Sequence, residues 1–174
     1  MRGLRSHALR CRTIKVVDKR AFFLWAAASL ACMAAIFFFS SQSAEESGGL
    51  SGSIARWVME PLWRWFAPAG AELPEALLFA LEAVLRKCAH LFVFFVFGFC
   101  AANTVRQATG DTRRVLWVSL CWCSAYAALD ELHQVFVPGR TCLWQDWLID
   151  TAGAFVGIGL VVLWAFKRRT FRNG

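Results

Sequence analysis

Four apolar stretches, each close to the length of a membrane span, dominate this chain of 174 residues. They are predicted at 21–39, 88–105, 115–137 and 147–166. About 20 helical residues, rising about 1.5 Å each, cross the ~30 Å hydrocarbon core of a bilayer. A soluble domain of this size could not bury a composition that is 58% hydrophobic, and a disordered chain would be far more polar. We therefore predict an all-α integral membrane bundle of four transmembrane helices.

The placement of Lys and Arg predicts the orientation of this bundle. The segments before Ala21 and after Phe166, with the connection between the second and third spans, hold 14 basic and two acidic residues. The rest of the chain holds five basic and ten acidic residues. Because cytoplasmic connections are rich in Lys and Arg, both termini are predicted to be cytoplasmic. The predicted organisation is a basic cytoplasmic tail at 1–20, the membrane domain at 21–166 and a second basic cytoplasmic tail at 167–174.

The long segment between the first two spans is predicted to contain an amphipathic helix. From Leu50 to Phe66 apolar residues, including three Trp, recur at helical spacing. Two interpretations are open: a helix lying in the outer membrane interface, which the predicted fold adopts, or a lid packed on the bundle. Pro61 is expected to break this helix into two pieces. Pro74 and Glu75 are expected to start a helix that runs into the second span.

Ionisable residues of three spans are predicted to lie at one depth. Counted from the cytoplasmic end of each span, His90 and Asp130 are 15 residues away and Asp150 is 16 residues away. These counts correspond to ~22–24 Å. Ser40 ends the first span on the same side. Ionisable side chains within a bilayer are costly, face the protein interior or water, and mark functional sites. We therefore predict a polar pocket that opens to the extracytoplasmic side.

Helical spacing places further polar residues beside these three. Residues three or four positions away on the same helix faces are Arg86, Lys87, His133, Gln134 and Asp146. Gly153 and Gly157 form a G-x-x-x-G pair, which lets a neighbouring backbone approach closely and would seat the carboxylates against the next helix. Pro138 and Gly139 are a turn signal that places Arg140 in a short outside loop.

Several chemistries fit these residue types, and the sequence leaves them open. A carboxylate near a His suits acid–base catalysis, and the cationic side chains suit an anion such as phosphate. One of Ser40, Ser41 and Ser43 could be a nucleophile near a base. A divalent metal would be held by His90, Asp130, His133, Asp146 and Asp150. The structural alternative is an Arg–Asp–His network that neutralises itself and fixes helix packing.

The order and spacing of these residues resemble the VanZ-like family of small membrane proteins over about 22–166. The matching pieces are Phe39-Ser40-Ser41-Gln42-Ser43, Arg86-Lys87-Cys88-Ala89-His90, Asp130-Glu131-Leu132-His133-Gln134, Val137-Pro138-Gly139-Arg140, and Asp146 with Asp150 and Gly153. The family commonly has Asn where this chain has Asp150. The resemblance implies a multi-span membrane protein, and some members are associated with resistance to glycopeptide antibiotics. It implies no particular reaction.

We therefore predict a multi-pass protein of the bacterial cytoplasmic (inner) membrane that binds, and in one interpretation processes, an anionic cell-envelope or lipid-linked substrate. The resemblance suggests a link with envelope antibiotic tolerance. The predicted catalytic residues are His90, Asp130, Glu131 and His133. The predicted substrate-binding residues are Ser40, Gln42, Ser43, Arg86, Lys87, Gln134, Arg140, Asp146 and Asp150. The lipid bilayer is the expected partner and nucleic acid is not.

The sequence leaves open the cofactor, the metal, the oligomeric state and whether the protein is an enzyme. The main alternative is a non-enzymatic membrane scaffold or partner-binding protein whose polar cluster is structural. A transporter is disfavoured, because the cytoplasmic halves of the second and fourth spans lack ionisable residues, whereas transport needs a path through both halves.

Overall fold

The computed structural model describes residues 18–68 and 70–173, and all regular structure within these ranges is α-helical. The helices are α1 (Lys19–Ser40), α2 (Ala44–Phe66), α3 (Glu75–Thr109), α4 (Thr112–Gln134) and α5 (Trp144–Asn173). The helices α1, α3, α4 and most of α5 are long and apolar enough to cross a membrane. The prediction of an all-α protein with four membrane-spanning helices is confirmed. Most of the predicted tail at 1–20 lies outside the described residues.

The bundle is assembled around α3, which packs most extensively against α5 and also contacts α1, α2 and α4. Glycines make the α3–α5 contact close: a Cβ at Gly153 would meet the carbonyl oxygen of Leu91, and one at Gly157 would meet that of Phe95. The prediction that this glycine pair admits a neighbouring backbone is confirmed. It also explains how the carboxylate of Asp150, one turn before Gly153, comes to lie against α3.

The surface of the bundle is apolar, as expected for a protein whose solvent is lipid. No more than half of the most apolar window of any candidate span is buried within the protein. Among the outward-facing side chains, Phe23, Leu24 and Leu163 are all more than 60% exposed. Surfaces of this kind match contact with the hydrocarbon of a bilayer.

The helix α2 differs from its prediction in two ways. It begins at Ala44, ahead of the predicted Leu50, because Ser43 and Glu46 form a capping box in which each side chain accepts a hydrogen bond from the other's backbone N–H. It also continues through Pro61, so the predicted break there is wrong. Pro61 removes only the hydrogen bond to the carbonyl of Trp57. Both residues lie on the exposed face of α2.

One face of α2 packs against the bundle and the other does not. Ala55 is fully buried, and Gly52 lies directly against the Glu82 carboxylate of α3. On the opposite side Trp57, Trp65 and Phe66 are each about 80% exposed. This arrangement has the bundle contact of a lid and the exposed aromatic face of an interfacial helix. Placement of that face in the membrane interface stays a prediction.

The connections agree with the sequence patterns to within a few residues. The helix α3 starts directly after Pro74, as predicted. The helix α4 ends at Gln134, ahead of the predicted end of the third span. The turn that follows contains Gly139 with φ 75°, which confirms the Pro-Gly turn signal and leads to Arg140. The helix α5 continues to Asn173, past the predicted end of the fourth span.

Candidate functional site

Side chains from three helices converge near the end of the bundle at which α1 and α4 end. His90 of α3, Asp130 of α4 and Asp150 of α5 each offer one possible ligand atom, and these atoms lie within 4.8 Å of one another. The His90 Nδ1 atom is 3.5 Å from Asp150 Oδ1. Asp130 is 4% exposed and Asp150 is fully buried. The structure thus brings together the three residues that sequence counting placed at one depth, and we call them the His–Asp cluster.

Asp130 is held in place by two hydrogen bonds. The hydroxyl of Ser40, the last residue of α1, donates to Asp130 Oδ2 at 2.8 Å. Gln134, one turn further along α4, donates from Nε2 to the same oxygen at 3.2 Å. Ser40 and Gln134 are themselves buried. These bonds tie the end of α1 to α4 and leave Asp130 Oδ1 free of both donors.

Asp150 is buried beside the imidazole of His90. Neither of its oxygens accepts a hydrogen bond from the residues that the structure describes. The 3.5 Å separation from His90 Nδ1 is longer than a charge-assisted hydrogen bond, which measures about 2.7–2.9 Å. A buried carboxylate without hydrogen-bond donors is costly, which makes Asp150 a candidate for binding a further group.

Two guanidinium groups lie beside the cluster. Arg140 donates from Nε to the backbone carbonyl of Gln42 at 3.3 Å. Arg86 of α3 has a buried Nε that meets no acceptor among the described residues. Burial lowers the pKa of Arg140, and the neighbouring charge of Arg86 lowers it further. Within the described part of the chain neither arginine forms an ion pair, so both cations remain available to an anion.

A cavity of about 430 Å³ lies between α1, α2 and α3. Its apolar wall includes Ile36, Phe39, Ile54, Leu85, Val93 and Phe94. Its polar lining includes Ser40, Gln42, Ser47, Ser51, Arg86, His90 and Arg140. A second cavity, of about 190 Å³, also contacts Arg86, His90 and Arg140, and adds Lys87, Gln134, Asp146 and Asp150. The two arginines and His90 therefore lie between an apolar chamber and a smaller polar one.

Three other predicted site residues tie parts of the molecule together. Lys87 Nζ lies 2.8 Å from Asp146 Oδ1, an ion pair between α3 and α5. Glu131 is buried, and its Oε2 accepts a hydrogen bond from the backbone N–H of Leu143 at 3.0 Å. This bond fixes the loop before α5 to α4. Glu131 Oε1 has no partner among the described residues.

His133 lies against α1 and lines neither of the two cavities. Its Nε2 atom is 3.1 Å from Ser41 Oγ, and its ring is tilted by 30° against that of Phe37, with the ring centroids 4.7 Å apart. Ser41 Oγ also donates to the Phe37 carbonyl at 2.6 Å. A hydroxyl has one proton, so while Ser41 donates to Phe37 the imidazole is the donor to Ser41 Oγ. The hydroxyl of Ser43 caps α2 together with Glu46.

Sequence reasoning missed the apolar wall of the larger cavity. Phe39 and Val93 belong to predicted spans, and Leu85 lies just before one. In such segments a side chain that faces a gap has the same residue type as one that faces lipid. Ser47 and Ser51 of α2 also contact this cavity. The signal that could have included them is the capping box at Ser43, which starts α2 early enough to bring both serines onto the helix.

The comparisons with known proteins give one match. A family model described as VanZ/LLP1 matches residues 25–165, a range that contains the whole His–Asp cluster and both arginines. No curated protein and no solved structure gives a significant match to the chain.

Proposed function

Because this chain belongs to the VanZ/LLP1 family, we propose that it is a cell-envelope protein that binds an anionic, lipid-linked molecule through Arg86 and Arg140. One observation carries the proposal: both guanidinium groups line the same cavity, and within the described residues neither is neutralised by a carboxylate. The planar guanidinium group matches the oxygens of a phosphate and binds them in a bidentate manner. A phosphate or diphosphate headgroup is therefore the proposed anion.

The shape and lining of the larger cavity favour an amphiphile over a free phosphate. The arginines occupy one part of its lining, and apolar side chains such as Ile36, Leu85 and Val93 form the rest. The helices α1 and α2 both pack on α3 but hardly touch each other. The cavity therefore has a side between α1 and α2 through which a lipid chain could enter from the bilayer. A polyisoprenyl or acyl chain would occupy the apolar part, with its headgroup at the arginines.

The His–Asp cluster supplies the proposed chemistry at this headgroup. His90 contacts both cavities, so its imidazole can reach a bound anion and exchange a proton with it. Asp130 and Asp150 would orient that imidazole. Lys87, Gln42 and Asp146 remain proposed contacts around the headgroup. We assign the site to the extracytoplasmic side of the bacterial inner membrane from the partition of Lys and Arg.

The experiment is a binding measurement on purified protein in lipid nanodiscs with a long-chain polyisoprenyl monophosphate. We expect Arg86→Ala and Arg140→Ala each to weaken binding at least tenfold, because each removes a cation from the headgroup site. The matched control is Arg56→Ala, an exposed arginine of α2 outside both cavities, which should bind as the unmodified protein does. The uncharged alcohol of the same chain length serves as the second probe.

Two results would contradict the proposal. One is unchanged affinity for the phosphate in both arginine variants, provided that they are monodisperse and inserted in the nanodisc. The other is equal affinity for the phosphate and the alcohol, which would show that the chain alone is recognised.

The alternative, in which the polar cluster is purely structural, rests on three contacts that connect parts of the bundle. Asp130 joins α4 to α1, Glu131 holds the loop before α5, and the Lys87–Asp146 pair joins α3 to α5. A scaffold of this kind would bind the phosphate no better than the alcohol. In that case Asp130→Asn would lower the thermal stability of the bundle, and partner capture would survive any substitution that leaves the fold intact.

A further inference from the structure

We infer that the His–Asp cluster is a binding site for a single divalent transition-metal ion of the Mn²⁺ or Zn²⁺ class, with His90, Asp130 and Asp150 as its ligands. This site goes beyond the anion proposal and does not depend on anion binding, because the metal ligands and the anion-binding arginines are different side chains. With the ion bound, metal ligation would replace the acid–base role proposed above for His90. Three features support the inference: the spacing of the ligand atoms, the buried carboxylate of Asp150 and the hydrogen bonds around Asp130.

The spacing of the three side chains suits a common ion. Ligand atoms of such ions lie about 2.0–2.2 Å from the metal, so two of them are at most about 4.4 Å apart. The separation of His90 Nδ1 and Asp150 Oδ1, 3.5 Å, lies inside this range. All three ligand atoms lie within 4.8 Å of one another, so the largest of the three separations is at most a few tenths of an ångström above that maximum. Small rotations of the side chains would bring all three atoms to bonding distance.

Asp150 gives an independent reason to place a cation here. Its side chain is fully buried, and neither oxygen has a hydrogen-bond donor among the described residues. The 3.5 Å between His90 Nδ1 and Asp150 Oδ1 is longer than a charge-assisted hydrogen bond of about 2.7–2.9 Å. The same separation allows both atoms to bind one ion. With two carboxylates in the cluster, a divalent charge balances the site.

The hydrogen bonds around Asp130 resemble the outer shell of a metal site. Ser40 and Gln134 both donate to Oδ2, which fixes the carboxylate and leaves Oδ1 to face the ion. Such second contacts orient metal ligands and tune their affinity. The donor set decides the class of metal: Mg²⁺ and Ca²⁺ prefer all-oxygen sites, whereas an imidazole with two carboxylates suits Mn²⁺ or Zn²⁺. Three protein ligands also leave a position open for water or an anion, as in catalytic sites.

The test uses Mn²⁺ alone, added without lipid to the full-length protein after it has been stripped with a chelator. We expect one Mn²⁺ per chain by equilibrium dialysis with elemental analysis. Pulsed electron paramagnetic resonance should detect coupling of this Mn²⁺ to one imidazole nitrogen. Asp150→Asn and His90→Gln should each weaken binding at least tenfold, and His90→Gln should remove the nitrogen coupling. Zn²⁺ should displace the Mn²⁺.

The matched control is Glu82→Gln, which neutralises another carboxylate of α3 outside both cavities and should bind Mn²⁺ as the unmodified protein does. The inference is overturned if the unmodified protein binds no stoichiometric Mn²⁺, or if bound Mn²⁺ lacks the nitrogen coupling. Neither result depends on the folding of a variant. Arg86→Ala is expected to retain Mn²⁺, so a failure of the anion site and a failure of the metal site are seen separately.

Discussion

At the scale of single residues, the hydrogen bond from Ser40 to Asp130 is the contact whose removal is easiest to interpret. Ser40→Ala leaves a buried carboxylate with only the Gln134 donor. Hydrogen bonds to charged groups contribute about 1.5–3 kcal/mol, but interhelical bonds in membranes average nearer about 0.6 kcal/mol. We therefore expect Ser40→Ala to lower the free energy of unfolding by about 1–2 kcal/mol. Reversible unfolding in mixed micelles measures this.

The neighbouring hydroxyl supplies the control for this prediction. Ser41 is exposed, and its Oγ bonds mainly to the carbonyl of Phe37 within α1. Ser41→Ala should therefore change the free energy of unfolding by less than about 0.5 kcal/mol, as is usual for surface substitutions. Equal stability of Ser40→Ala and the unmodified protein would show that the bond to Asp130 contributes nothing to the fold.

Residue counting placed the members of the His–Asp cluster at one level of the bundle, but it did not predict which way the neighbouring side chains point. The rise of a helix fixes how far along its axis a residue lies, which is why His90, Asp130 and Asp150 could be placed together from the sequence. Which way a side chain points depends on the neighbouring helices, which a single sequence does not specify. Glu131 and His133 share the end of α4 with Asp130, yet Glu131 contacts the loop before α5 and His133 contacts α1.

At the scale of the helices, the glycine contact between α3 and α5 positions the cluster. A Cβ at Gly157 would overlap the carbonyl of Phe95 and lie 2.9 Å from the N atom of Phe99. The backbones would have to separate, which costs about 1–3 kcal/mol. We expect Gly157→Ala to destabilise the protein by this amount. Because His90 and Asp150 lie across the same interface, we also expect it to weaken Mn²⁺ binding.

Gly159, also in α5, provides a control that distinguishes loss of helix packing from the effect of a Gly-to-Ala change on the backbone. A Cβ at Gly159 meets no atom within 4 Å, so Gly159→Ala should leave stability unchanged or raise it slightly. If both substitutions had the same effect, close packing of α3 on α5 could not be the cause. Thermal unfolding of both variants in the same detergent makes the comparison.

The helix α2 shows that one rule based on local sequence holds in the folded protein and that another does not. Its start at Ala44 could have been found from Ser43 and Glu46, which have the spacing of a capping box. Its continuity contradicts the rule that proline interrupts helices, since α2 accommodates Pro61 with the loss of one backbone hydrogen bond. Pro61 lies on the exposed face. The sequence predicted an amphipathic helix here. The contact of this helix with α3 and its position in the lining of a cavity could be seen only in the tertiary structure.

At the scale of the whole molecule, function depends on which side of the membrane the cavities face. The apolar spans were predictable from composition and length, because lipid selects for both. With four spans, we expect the start of α1, the α3–α4 connection with Asp111 and the end of α5 on one side of the membrane. The α4–α5 loop, with Arg140 and the exposed free thiol of Cys142, is expected on the other side. The excess of Lys and Arg predicts that the side of the termini is cytoplasmic.

Labelling with a membrane-impermeant maleimide tests this orientation. In spheroplasts, Cys142 should react with the maleimide. The Cys142→Ser variant should lack the label at this position. In a background in which Cys11, Cys88 and Cys142 are replaced by Ser, a thiol introduced by Asp111→Cys should react only after the membrane is permeabilised. The reverse pattern would put the arginines and the His–Asp cluster nearer the cytoplasm. A lipid-linked phosphate would then have to be met in the inner leaflet, so the substrate proposed for the cavity depends on this orientation as much as on its lining.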